Sequence, residues 1–93
     1  MRMKDEEIKS IREAILKRDP CARIYLFGSR VDDSQRGGDI DLLVLSQKLT
    51  LAERRKIKLD LYRRLGAQKI DILLAQDQKK AFVRQALEEG IAL

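Results

Sequence analysis

The segment Asp39-Ile40-Asp41-Leu42-Leu43-Val44 sets two carboxylates at the mouth of an otherwise apolar strand, and few folds can accept such a pair. Ionised Asp is among the side chains least often buried without a partner, so two of them alternating with Ile and Leu need a compensating charge. Successive strand side chains point to opposite faces. Asp39 and Asp41 therefore share a face, with Cα atoms about 6.6 Å apart, while Ile40, Leu42 and Val44 fill the other. Both carboxylates can converge on one cation, or on two held roughly 3.5–4 Å apart. The chain has no His and one Cys, so the ion has to be hard and oxygen-loving. Magnesium fits first and manganese second.

A later stretch, Lys69-Ile70-Asp71-Ile72-Leu73-Leu74, sets one more carboxylate in an apolar strand. If the two strands are neighbours, about 4.8 Å apart, Asp71 stands beside the first pair and completes a three-carboxylate cluster. Acids that close repel one another unless a cation intervenes, so the cluster reads as a metal site and not as a structural device. A single Asp at a strand start is commonly only a turn residue; the weight here falls on the combination.

Upstream stands Gly28-Ser29-Arg30. Gly at a strand-to-helix turn lets a ligand approach the backbone, and the Ser29 hydroxyl with the following amides can donate to phosphate oxygens. Arg30 adds a delocalised positive charge, and Arg36 in the polar loop after it can reach the same anion. Taken alone, Gly-Ser-Arg is an ordinary strand-ending turn.

The remaining elements follow from periodicity. Ile8, Ile11, Ile15 and Leu16 make the apolar stripe of a helix over about 5–18, ended by Asp19-Pro20. Residues 23–27 predict a strand closed by Gly28, and residues 29–31 a short helical turn. Residues 32–38 have loop composition. Residues 39–45 predict a central strand covered on both faces. A second helix over about 50–65 carries Ile57, Leu61 and Leu65, with Thr50 and Glu53 as a capping box and Gly66 as its C-cap. Residues 69–75 predict a third strand, and about 78–89 a third helix packing through Phe82, Ala86 and Leu87 up to Gly90. The order αβαβαβ predicts an α/β (α+β) domain with a three-stranded sheet covered by helices.

At 93 residues, 44% hydrophobic and 38% charged, the chain reads as one folded domain with a modest core. A charged N-terminus and the lack of any long apolar run predict a cytoplasmic protein with no membrane partner. Cys21 has no His or second thiol near it in sequence and reads as a half-buried packing residue. The net charge of +5 suits a polyanionic ligand: a nucleoside triphosphate, a nucleic acid or an acidic protein. With only 4% aromatic residues, a stacking platform for single strands is poorly supplied.

Gly28-Ser29, then Asp39-Ile40-Asp41, with Asp71 on a later strand, resembles the nucleotidyltransferase superfamily that includes DNA polymerase beta. Across nearly the whole chain, including the closing Glu89-Gly90-Ile91-Ala92-Leu93, it is most similar to the minimal nucleotidyltransferases, the MNT proteins of prokaryotes. That resemblance implies a minimal nucleotidyltransferase fold over residues 1–93 with a mixed sheet. It implies that Asp39 and Asp41 hold two magnesium (or manganese) ions, that Asp71 ligates the catalytic one and helps activate an acceptor hydroxyl, and that Ser29 contacts the nucleotide phosphates. The implied reaction is transfer of AMP from ATP to a hydroxyl with release of pyrophosphate. For MNT proteins paired with HEPN-domain ribonuclease toxins, it implies a tyrosine acceptor on the toxin and an antitoxin role. A homodimer or the HEPN partner would supply the missing second wall of the site. Two alternatives stay open: a non-catalytic antitoxin that neutralises its partner by covering it, and transfer to a small molecule or RNA.

Overall fold

A computed structural model describes residues 3–31, 39–66 and 68–93. Among the described residues three helices and four strands alternate: α1 (Asp5–Leu16), β1 (Arg23–Phe27), a 3-10 turn (Gly28–Val31), β2 (Ile40–Leu45), α2 (Leu51–Leu65), β3 (Ile70–Ala75), α3 (Ala81–Glu89) and β4 (Ile91–Ala92). The sheet runs in the order β3-β2-β1-β4. β1 pairs antiparallel with both β2 and β4, whereas β2 and β3 run parallel, which makes the sheet mixed. A parallel pair needs a crossover, and α2 provides it.

Alternation along the strands divides the core in two. Ile24, Leu26, Ile40, Leu42, Val44, Ile70 and Ile72 face α1 and α2, where Ile11, Ala14, Ile15, Ile57 and Leu61 close the layer. On the other face Leu43 and Leu45 meet Val83 and Ala86 of α3, with Tyr25, Phe27 and Leu73 packed against them. β2 lies under both layers, and from Leu42 to Leu45 it is buried throughout. That is the continuous apolar run expected of a central strand.

Local signals set the helix ends. Thr50 caps α2 by accepting from the Glu53 amide, while the Glu53 side chain returns to the Thr50 amide. Gly66 follows with φ +83°, a backbone conformation that L side chains rarely adopt, and its amide donates to the Tyr62 carbonyl at 3.0 Å. The first two helices are tied by Asp60, which binds Lys17 at 3.0 Å and Arg64 at 3.0 Å, and by Arg64 to Glu13 at 2.9 Å. Behind the sheet, buried Asp19 accepts from the Ser46 hydroxyl at 2.5 Å and from the Cys21 amide at 3.0 Å. The Ser46 oxygen in turn accepts from the amides of Lys48 and Leu49. This network locks the entry to β1 onto the exit from β2.

Three expectations change. The sheet has four strands and not three, because Ile91-Ala92 adds itself to β1, with the Leu93 amide donating to the Ile24 carbonyl at 2.9 Å. Gly90 allows this return: a Cβ there would stand 2.6 Å from the Ala86 carbonyl oxygen and 3.1 Å from that of Leu26. The third helix begins at Ala81 and not near 78, so its packing face is Val83, Ala86 and Leu87, while Phe82 is turned outward and 59% exposed. Cys21 is exposed and not half-buried, since it follows the Asp19-Pro20 turn and precedes β1. Among the described residues, no helix is long and apolar enough to cross a membrane.

Candidate active site

The end of the sheet where β1 stops and β2 and β3 begin gathers the chemistry-bearing residues. Asp41 is the second residue of β2 and Asp71 the second of β3, and the parallel register pairs them directly. Partners in register share a face of the sheet, so both carboxylates stand on the α3 side while Ile40 and Ile70 are buried on the other. On its opposite flank Asp41 pairs with Phe27, the last residue of β1, immediately before Gly28. The Asp39-x-Asp41 alternation and the single Asp71 are thus brought to one corner.

The electrostatics of that corner are unsatisfied. Burial, then the negative charge of Asp71 and then that of Asp39, hold the Asp41 carboxyl above the ordinary carboxylate range, with Lys69 opposing them. Asp39 is salt-bridged to Lys69 at 3.4 Å, and Asp71 meets Lys58 of α2 at 4.0 Å. Both of these carboxylates remain about half exposed and open to a ligand. Their oxygens are turned toward lysines, and among the described residues no three Asp, Glu, His or Cys side chains form a ready metal cage. The donor set nonetheless suits a hard dication: every ligand atom is a carboxylate oxygen, and Asp41 carries repulsion that a positive ion would relieve.

Gly28 is fitted to Asp41. Its φ of +75° is a conformation L side chains rarely adopt, and a Cβ there would collide with Asp41 Oδ2. The strand-to-turn corner therefore reserves space against the carboxylate that has the least solvent around it. Ser29 occupies the second position of the 3-10 turn; its hydroxyl, like the whole of Arg36, lies outside the described part of the chain. Arg30 reaches across to Gln68, with Nη2 donating to Oε1 at 3.2 Å. Gln68 in turn donates to Glu7 and to the Leu65 carbonyl, which ties the turn to the connection between α2 and β3.

Sequence reasoning missed Lys58 and Lys69. Lys69 was legible in principle, since the β2–β3 register continued by one residue sets it beside Asp39. Lys58 comes from a helix whose rotation about its axis only packing fixes.

Residues 9–93 match the family described as Polymerase beta, Nucleotidyltransferase. The chain belongs to this family. No curated protein matches it. Its three helices and four-stranded mixed sheet agree with the minimal nucleotidyltransferase fold. Membership makes it a nucleotidyltransferase domain, of a family that generally takes nucleoside triphosphates together with divalent metals.

Proposed function

We propose that this chain transfers AMP from ATP to a hydroxyl group, with Asp39, Asp41 and Asp71 as the catalytic and metal-ligating carboxylates and magnesium as the ion. The observation that carries the reading is the register of Asp41 with Asp71, two acids on one sheet face with Gly28 kept bare against the first. Bound magnesium, or manganese in its place, would neutralise the triphosphate and the charge developing on the entering and leaving oxygens. Asp71, the more open of the register pair, takes the proton of the acceptor hydroxyl. That oxygen forms the new bond to the α-phosphorus as the bond to the bridging oxygen breaks, and pyrophosphate leaves with the electron pair. Gly28, Ser29, Arg30 and Arg36 form the phosphate side of the site, where a bare glycine lets the ligand approach the main chain.

The acceptor in this reading is a tyrosine of a HEPN-domain ribonuclease toxin, the chain acting as its antitoxin in the cytoplasm. Resemblance to the minimal nucleotidyltransferases supports it. Incubation of the chain with labelled ATP, magnesium and a candidate HEPN protein should label that protein, and Asp39→Ala should abolish the label. Absence of label from the wild-type reaction, with neutralisation of the toxin unchanged by Asp39→Ala, would establish the second reading, an antitoxin that acts by covering its partner. The pairing of Asp39 with Lys69 and of Asp71 with Lys58 is the observation on that side.

A further inference from the structure

α2 packs on the sheet through Ile57 and Leu61, which are buried, yet its outer surface is not uniformly polar. Leu51, Leu59 and Tyr62 are 63%, 52% and 53% exposed, three of the four large apolar side chains left in the open among the described residues. An α-helix turns about 100° per residue, so these three positions fall within an arc of about 80°, roughly 140° away from the direction of Ile57 and Leu61. From Leu51 to Tyr62 the stripe runs about 16 Å along the axis, three turns of helix. Exposed apolar residues scattered singly need no explanation, but three aligned on one helix do.

The same rotation sets cations on both margins of the stripe. Arg54 and Lys58 follow one side, Lys56 and Arg63 the other, and Arg55 stands between Leu51 and Leu59. The two acids of α2 are committed elsewhere: Glu53 to the capping box with Thr50, and Asp60 to Lys17 and Arg64 on the α1 side. Among the described residues Arg55, Lys56 and Arg63 are exposed and pair with no acid, while Lys58 meets Asp71 at 4.0 Å. On the β3 side Arg54, Arg55 and Lys58 line a groove of about 350 Å³ with Asp71 and Ile72. An apolar stripe between two rows of positive charge is the complement of a helix whose own apolar stripe is flanked by Asp and Glu. A second copy does not supply that through the same face, because α2 against α2 sets cations on cations. A lipid surface fits less well, since the stripe is narrow and Arg55 interrupts it, and a nucleic acid would use the cations and leave Leu51 and Leu59 in water.

We propose that the exposed face of α2 is a docking site for an acidic amphipathic helix of a partner protein. The partner's apolar side chains pack between Leu51, Leu59 and Tyr62 with the two helix axes about 8–10 Å apart, and its carboxylates meet the cations on either margin. Arg55 and Tyr62, of the residue types that most often dominate the energy of an interface, are the anchors. Docking here does not depend on transfer: it serves a partner that is modified and one that is merely covered.

The test follows the anisotropy of a fluorescein-labelled, hydrocarbon-stapled helical peptide with Leu at every third or fourth position and Glu on both flanks. It is read without ATP or metal, so a failure of transfer has no bearing on it. The wild-type chain should bind the peptide, with affinity falling as salt is raised. Leu59→Ser with Tyr62→Ser, and separately Arg55→Glu with Arg63→Glu, should each weaken binding by roughly ten-fold or more. The melting temperature of both variants should stay near that of the wild type, because all four side chains are exposed. Phe82→Ser removes an equally open apolar side chain from α3 and should leave binding unchanged. A Lys-for-Glu peptide should prefer the Arg55→Glu, Arg63→Glu variant to the wild type. Binding kept when Leu59 and Tyr62 are replaced, or lost equally on Phe82→Ser, would overturn the proposal. So would absence of peptide binding, whether the face then proves to join a second copy, to hold phosphatidylserine vesicles or to take a single-stranded oligonucleotide.

Discussion

Asp41 and Asp71 face each other across the parallel β2–β3 pair although an entire helix separates them in the chain. Burial, with the repulsion of Asp71 added to it, holds the Asp41 carboxyl above the ordinary carboxylate range. A carboxyl whose folded-state pKa is raised is unfavourable to folding once the pH exceeds its unfolded value, and that penalty is fully developed above the folded value.

Asp41→Asn should therefore stabilise the protein while disabling it. At neutral pH its melting temperature should rise by about 2–5 °C, and the gain should vanish as pH falls below about 4, where both states of the wild type are protonated. Transfer activity should drop by at least roughly a hundred-fold. Calorimetry across pH checks the first part, and a labelled-ATP assay the second; an unchanged or lower melting temperature at neutral pH would contradict the strain assigned to Asp41.

Gly28→Ala combines an unfavourable backbone conformation with a collision against Asp41 Oδ2. The expected loss is on the order of 2 kcal/mol, read by denaturant unfolding, accompanied by loss of transfer. A variant as stable as the wild type would mean that the turn relaxes easily.

Lys69 and Lys58 occupy two of the carboxylates that a cation would need. Replacing both by Ala should tighten Mn2+ binding, measured by electron paramagnetic resonance, by up to roughly five-fold per lysine, the scale of exposed ion pairs. Weaker Mn2+ binding in the double variant would argue that the lysines organise the site and do not compete for it.

The Asp19–Ser46 contact gives the opposite pH signature to Asp41. The Ser46 hydroxyl, against the opposing effect of burial, holds the Asp19 carboxyl below its ordinary value of 3.8. Stability from a lowered carboxylate is present above the unfolded value and is lost as pH falls through the folded one. Ser46→Ala should lower the melting temperature by roughly 5 °C above about pH 5, with the deficit shrinking in acid. A pH-independent deficit would assign the effect to the lost amide contacts of Lys48 and Leu49 alone.

Much of the fold was legible because its signals are local. The residues 23–27 strand, the Thr50–Glu53 cap and the apolar runs of β2 and β3 depend on alternation, turns and caps within a few residues of one another. β4 was not legible: two residues carry no periodicity, and Ile91-Ala92 becomes a strand only because Gly90 lets the chain fold back beside β1. Phe82 misled for a related reason, since one residue of uncertainty in a helix start rotates its face by about 100°. At the site, Asp41 and Asp71 were predictable as neighbours from strand pattern, whereas the lysines that meet Asp39 and Asp71 depend on register and helix rotation.

The crossover through α2 has a consequence for when the corner comes into being. Parallel pairing cannot form by simple hairpin closure, so β3 reaches β2 only after the intervening helix has found its place on the sheet. Until that moment Asp71 of a newly synthesised chain stands apart from Asp39 and Asp41. The corner that the proposed transfer requires is thus the last part of the sheet to be assembled.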